Sequence, residues 1–101
     1  MLLSPENGRE SLLIMEFKFS KHAELELQRR GLEKSRIEAV LREPEQKTDE
    51  RDGLSCFQSR LADEQGKIYL VRVIVNPRQN PNLVVTAYQT SKVSKYWKGF
   101  L

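Results

Sequence analysis

The sequence predicts an α+β fold, with an N-terminal helical hairpin packed on one face of a three- to four-stranded antiparallel sheet. Two observations carry this prediction. Apolar residues recur at helical spacing as far as Pro44, and beyond it the period changes to two, with β-branched residues concentrated in one run. Turn signals at Asp52-Gly53, Glu64-Gln65-Gly66 and Asn76-Pro77 divide that second half into segments short enough for a meander.

The folded part is expected to begin at Met15-Glu16-Phe17, with a short strand possible over Glu16 to Phe19. Residues 1–15, which contain the turn-forming stretch Ser4-Pro5-Glu6-Asn7-Gly8, read as a flexible extension, and residues 16–101 as a single domain. Ser20 is a good N-cap, so Lys21 to Arg30 forms a helix that Gly31 stops. A second helix runs from Glu33 to Arg42, with Ile37, Val40 and Leu41 as its apolar stripe and Pro44 closing it. Glu45 to Arg51 reads as an edge strand and Leu54 to Leu61 as the next. Lys67 to Val75 is the clearest strand, and Leu83 to Gln89 is the last.

Composition narrows the function classes. The chain has 101 residues, 39% hydrophobic and 31% charged, which suits one small soluble globule. No apolar run approaches the roughly 20 residues that a membrane helix needs. Leu12-Leu13-Ile14-Met15 lacks the basic flank of a signal peptide, so a cytoplasmic protein with no membrane contact is expected. One cysteine and one histidine leave no material for a zinc site, and no phosphate-binding glycine loop occurs, so neither metal nor cofactor is expected. The net charge of +3 favours an acidic partner, either nucleic acid or protein.

Strand alternation separates two sheet faces. Phe57, Tyr69, Val71, Val73, Leu83, Val85 and Ala87 form an apolar set that should meet the helices. Gln58, Arg60, Arg72, Thr86, Tyr88 and Thr90 form a polar, mildly basic set that suits a binding face. Histidine as a residue type suits proton transfer at neutral pH, and His22 is the sole one in the sequence. Glu26 and Arg29 share its side of the helix at i+4 and i+7, a row that fits proton transfer beside an anionic substrate or, more plainly, a charged surface face. Toward the C-terminus, Lys92, Lys95 and Lys98 interleave with Tyr96 and Trp97. That pattern suits phosphate contact with base stacking, or equally a core closed by two aromatics.

The segment Phe19-Ser20-Lys21-His22-Ala23, followed by Arg30-Gly31-Leu32, Val40-Leu41 and Pro44, resembles the Domain of Unknown Function 4258 family. The ending Val84-Val85-Thr86-Ala87-Tyr88-Gln89-Thr90-Ser91-Lys92 with Lys95-Tyr96 is similar to its cyanobacterial-type members, and the likeness runs from about Phe17 to Lys98. Many members carry an arginine four residues after the histidine, where this chain has Glu26. The family in turn resembles RelE/ParE-type toxins and metal-free bacterial ribonuclease toxins. That likeness implies a RelE-like domain that cleaves RNA through its 2′-hydroxyl, with an antitoxin-like protein as partner. It implies His22 as general base or acid, Arg30 or Arg72 at the phosphate, and Tyr88 and Thr90 completing the site. Arg29, Lys92, Lys95, Tyr96 and Lys98 are the expected RNA contacts. The alternative on the same fold is a non-catalytic module that binds RNA or protein.

Overall fold

A computed structural model describes residues 17–99. The expected extension over residues 1–15 therefore lies outside the described residues. The elements are β1 (Phe17–Phe19), α1 (Lys21–Arg30), α2 (Lys34–Arg42), β2 (Gln46–Asp49), β3 (Ser55–Ala62), β4 (Ile68–Asn76), β5 (Asn82–Thr90) and α3 (Val93–Tyr96), with a 3-10 turn at Arg51–Gly53.

The fold is α+β, and the sheet corrects the expectation of three or four antiparallel strands. Among the described residues five strands lie in the order β1-β5-β4-β3-β2, and the sheet is mixed because β1 runs parallel to β5. β1 pairs with Asn82, Leu83 and Val84, so among the described residues the outer edge of β5 beyond Val84 has no strand partner. The parallel pairing follows from connection length. The chain leaves β1 through α1 and α2 and returns by way of the meander, as a parallel pair requires.

The helices also depart from the hairpin expectation. Both form where the sequence places them, and Gly31 ends α1 in the left-handed region at φ 65. They do not stack as a unit of their own. α1 lies on β5, while α2 lies on β3 and β4. Ala23 and Leu27 of α1, and Ile37, Val40 and Leu41 of α2, turn toward the sheet because Val71, Val73, Val75, Val84 and Ala87 offer more apolar surface there. Each large aliphatic side chain fully buried in this layer contributes about 1.5–3 kcal/mol relative to an exposed one.

The apolar face differs from the predicted set: Val75 joins the core, Tyr69 stays half-buried outside it, and β5 contributes Val84 in place of Leu83 and Val85. Between β4 and β5 the register shifts: Ile74 pairs with Thr86, but Val75 pairs with Val84, leaving Val85 as the extra residue of a bulge. One extra residue reverses the parity of everything before it. Val84, rather than Val85 or Leu83, therefore enters the core with Ala87. Strict alternation cannot anticipate a bulge.

The Asp52-Gly53 turn forms as expected. Both residues take positive φ, at 60 and 74, as a tight hairpin between right-twisted strands needs, and Glu50 N donates to Leu54 O at 2.9 Å.

Candidate functional site

Two polar clusters flank β5. The first grows from the start of the chain's first helix. Ser20 Oγ accepts a hydrogen bond from Ala23 N at 2.9 Å, fixing the first turn of α1 and the position of His22 on it. His22 is largely exposed, and its Nε2 lies 3.6 Å from Glu26 Oε1. Glu26 is the hub. Its side chain is only 11% exposed, yet Arg29 Nη2 donates to both carboxylate oxygens at 2.8 and 2.7 Å, and Arg30 Nη2 lies 3.3 Å away. Both oxygens of this enclosed carboxylate thus face cationic partners.

Arg30 then reaches round the free edge of β5. Its Nη1 donates to Ala87 O at 2.7 Å and to Thr86 Oγ1 at 3.3 Å. A charged side chain placed on an open strand edge also discourages pairing with another chain.

The second cluster lies on the sheet face opposite α1 and α2. Gln46, Gln58, Arg72 and Tyr88 fall in register on four adjacent strands and form one continuous row. Gln58 Nε2 donates to Gln46 Oε1 at 2.7 Å, and Arg72 Nε donates to Gln58 Oε1 at 2.9 Å. Arg72 Nη1 donates to the Tyr88 hydroxyl at 2.6 Å, and Nη2 to Glu50 Oε2 at 3.3 Å. Arg72 is 4% exposed, and its buried fork is thus engaged on three sides. Burial pushes the Tyr88 phenol above its ordinary range, against the opposing pull of Arg72.

The C-terminal segment crosses this face. Gln58 Nε2 donates to Tyr96 O at 3.3 Å, Gln46 Nε2 donates to Lys98 O at 2.7 Å, and Lys98 N donates back to Gln46 Oε1 at 3.2 Å. The Tyr96 ring consequently lies 4.3 Å from the Arg72 guanidinium, and the Trp97 ring 4.0 Å from that of Arg60. Arg60 is itself gripped by Glu45, through Nε at 3.1 Å and Nη2 at 2.9 Å, which holds the Glu45 carboxyl below its usual range.

The predicted residues therefore fall into two groups. His22, Arg29 and Arg30 converge on Glu26. Arg72 and Tyr88 meet each other beneath Tyr96. Thr86 and Tyr88 share a face of β5 two residues apart, so that strand joins the groups. Thr90 serves the turn that follows β5, its Oγ1 accepting from Lys92 N at 3.1 Å. Lys92, Lys95 and Lys98 are exposed around α3.

Sequence reasoning placed Gln58 on the polar face with Arg72 and Tyr88, but it did not place Gln46 or Glu50 there, nor Glu26 at the centre of the edge cluster. The signal for the glutamines was polarity at alternate positions of neighbouring strands, readable only once the register is known. Among the described residues, no group of three or more His, Cys, Asp or Glu side chains is arranged to hold a metal ion. No helix among them is long and apolar enough to cross a membrane.

A family model described as a domain of unknown function, DUF4258, matches residues 19–89. No curated protein and no solved structure matches the chain.

Proposed function

The chain belongs to the DUF4258 family, and from that premise we propose that it is a metal-free endoribonuclease of the toxin–antitoxin kind, similar to RelE/ParE-type toxins and resembling cyanobacterial-type members in its C-terminal pattern. The observation that carries this reading is the convergence of His22, Arg29 and Arg30 on Glu26 at the free edge of β5. An exposed imidazole beside two guanidinium groups has the parts for cleavage of a phosphodiester without a metal.

In that reaction His22 takes the proton of the ribose 2′-hydroxyl. The 2′-oxygen bonds to phosphorus, the bond from phosphorus to the 5′-oxygen breaks, and the leaving oxygen takes a proton from solvent. The products are a 2′,3′-cyclic phosphate and a 5′-hydroxyl end. Arg30 and Arg29 offset the charge on the phosphoryl oxygens, and Lys92, Lys95, Tyr96 and Lys98 hold the strand. Glu26 replaces a family arginine without presenting a bare negative charge, because Arg29 binds it through both oxygens. Arg72 and Tyr88 support the face from within, and Thr90 fixes the turn that leads into the lysines. An antitoxin-like protein is the corresponding partner.

A second reading, a non-catalytic RNA-binding module, is favoured by the state of Arg72. Its N–H groups already serve Gln58, Tyr88 and Glu50, which leaves the edge cluster alone to carry chemistry.

The test is induced expression of the wild type beside His22→Ala, with growth and RNA integrity followed, and the purified proteins assayed on RNA in a chelator. Growth arrest and chelator-resistant cleavage by the wild type alone support the enzyme. Intact RNA with soluble, folded wild-type protein overturns it in favour of the binding module.

A further inference from the structure

Tyr96 and Trp97 are consecutive aromatic residues on a polar, basic face, and the fold treats them unlike side chains that close a core. Both are only half-buried. Each ring also carries an arginine against it, Arg72 at 4.3 Å from Tyr96 and Arg60 at 4.0 Å from Trp97. Those arginines are themselves fixed, Arg72 by Gln58, Tyr88 and Glu50, and Arg60 by the two oxygens of Glu45. The main chain under the rings is pinned at Tyr96 O by Gln58 and at both the N–H and C=O of Lys98 by Gln46. Two aromatic surfaces are thus held in place before any ligand arrives, which removes much of the ordering cost of binding.

Charge around the rings identifies the ligand. Lys92, Lys95 and Lys98 are all exposed along the same short segment. The acids that meet the two arginines are paired, Glu45 with Arg60 and Glu50 with Arg72. A flat, polarised aromatic surface ringed by lysines fits a nucleobase with its backbone phosphates. A duplex keeps its bases stacked on each other, so an unpaired strand is the form that fits.

We infer that Tyr96 and Trp97 form a pre-organised stacking platform for the bases of single-stranded RNA, with Arg60 and Arg72 backing the rings and Lys92, Lys95 and Lys98 contacting phosphates. This rests on the RNA reading above and adds to it the strand form of the substrate and the residues that grip its bases. Trp97 is the sole tryptophan, so its fluorescence reports on the platform directly.

The experiment titrates full-length protein with a ten-nucleotide oligoadenylate, reading Trp97 fluorescence and, in parallel, the anisotropy of a labelled copy of the same RNA. Saturable quenching that tracks the anisotropy is expected. With three lysine contacts, raising salt from about 50 to 200 mM weakens binding about 20-fold. Trp97→Ala weakens binding about fivefold or more, and Trp97→Phe restores most of that loss because the ring is kept. A duplex of equal length binds more weakly.

Anisotropy that rises without quenching, or unchanged affinity in folded Trp97→Ala, overturns the platform while leaving RNA cleavage open. Quenching without cleavage supports the platform and overturns the enzyme. No binding in either signal overturns both.

Discussion

Arg72 and Tyr88 face each other across β4 and β5, in register, with 2.6 Å between a guanidinium nitrogen and the phenol oxygen. Tyr96 lies over that pair and touches both, packing edge-on against Tyr88 at 6.3 Å between ring centroids. The polar side of the sheet is therefore organised around a buried cation.

Removing that cation should be costly. Arg72→Leu strips the partner from Gln58, Tyr88 and Glu50 at once, and a loss of about 2–3 kcal/mol is expected. For a domain of this size that corresponds to a drop of roughly 10–20 °C in Tm by calorimetry. Arg72→Lys recovers little, since a single ammonium cannot replace a planar fork. An Arg72→Leu protein as stable as the wild type would mean the row contributes nothing to folding.

Glu26→Gln separates charge from shape at the edge of β5. Arg29 loses its carboxylate partner and can turn more of its charge to phosphate, so RNA affinity at low salt should rise several-fold. Thermal stability should fall by about 1 kcal/mol, because two charge-assisted contacts weaken. Anisotropy titrations and a melting curve on the same preparation check both. Weaker RNA binding by a folded Glu26→Gln protein would place Arg29 outside the RNA path.

Cys56 supplies a pH dependence with a defined sign. Burial raises its thiol pKa above the ordinary value of 9.0, outweighing the opposing effect of Arg72. The folded state therefore holds the proton more tightly than the unfolded chain. The stability from this group is present below the unfolded value and fades as pH rises toward the folded one. Denaturant unfolding of wild type and Cys56→Ala between about pH 7 and 10 should show their difference shrinking with pH. The native thiol should also resist a thiol reagent at pH 7 and react fully in denaturant.

Ser20→Ala removes the oxygen that accepts Ala23 N, at a cost of about 1 kcal/mol, or roughly 4–8 °C in Tm. Ser20→Asp should retain most of that stability, since a carboxylate caps equally well and favours the helix start. Equal losses in both variants would show that the cap does not set the entry to α1.

The sequence by itself determined the order and type of the main elements. Ser20 and Gly31 bound α1, Asp52-Gly53 makes the hairpin turn, and the run through Val71, Val73 and Val75 is the central strand. Each is a local effect, set by a cap, a positive φ or a period of two, so each is written in adjacent residues. His22 with Glu26 and Arg29 was legible for the same reason, because helical spacing alone places them together. Only the tertiary structure decided what joins distant segments. β1 pairs in parallel with β5 from the far end of the chain, and the bulge at Val85 exchanges it for Val84 in the core. The register that aligns Gln46, Gln58, Arg72 and Tyr88 and brings Tyr96 onto Arg72 depends on four strands at once. No local pattern encodes that alignment, since it is set by how all the strands bury their apolar faces together.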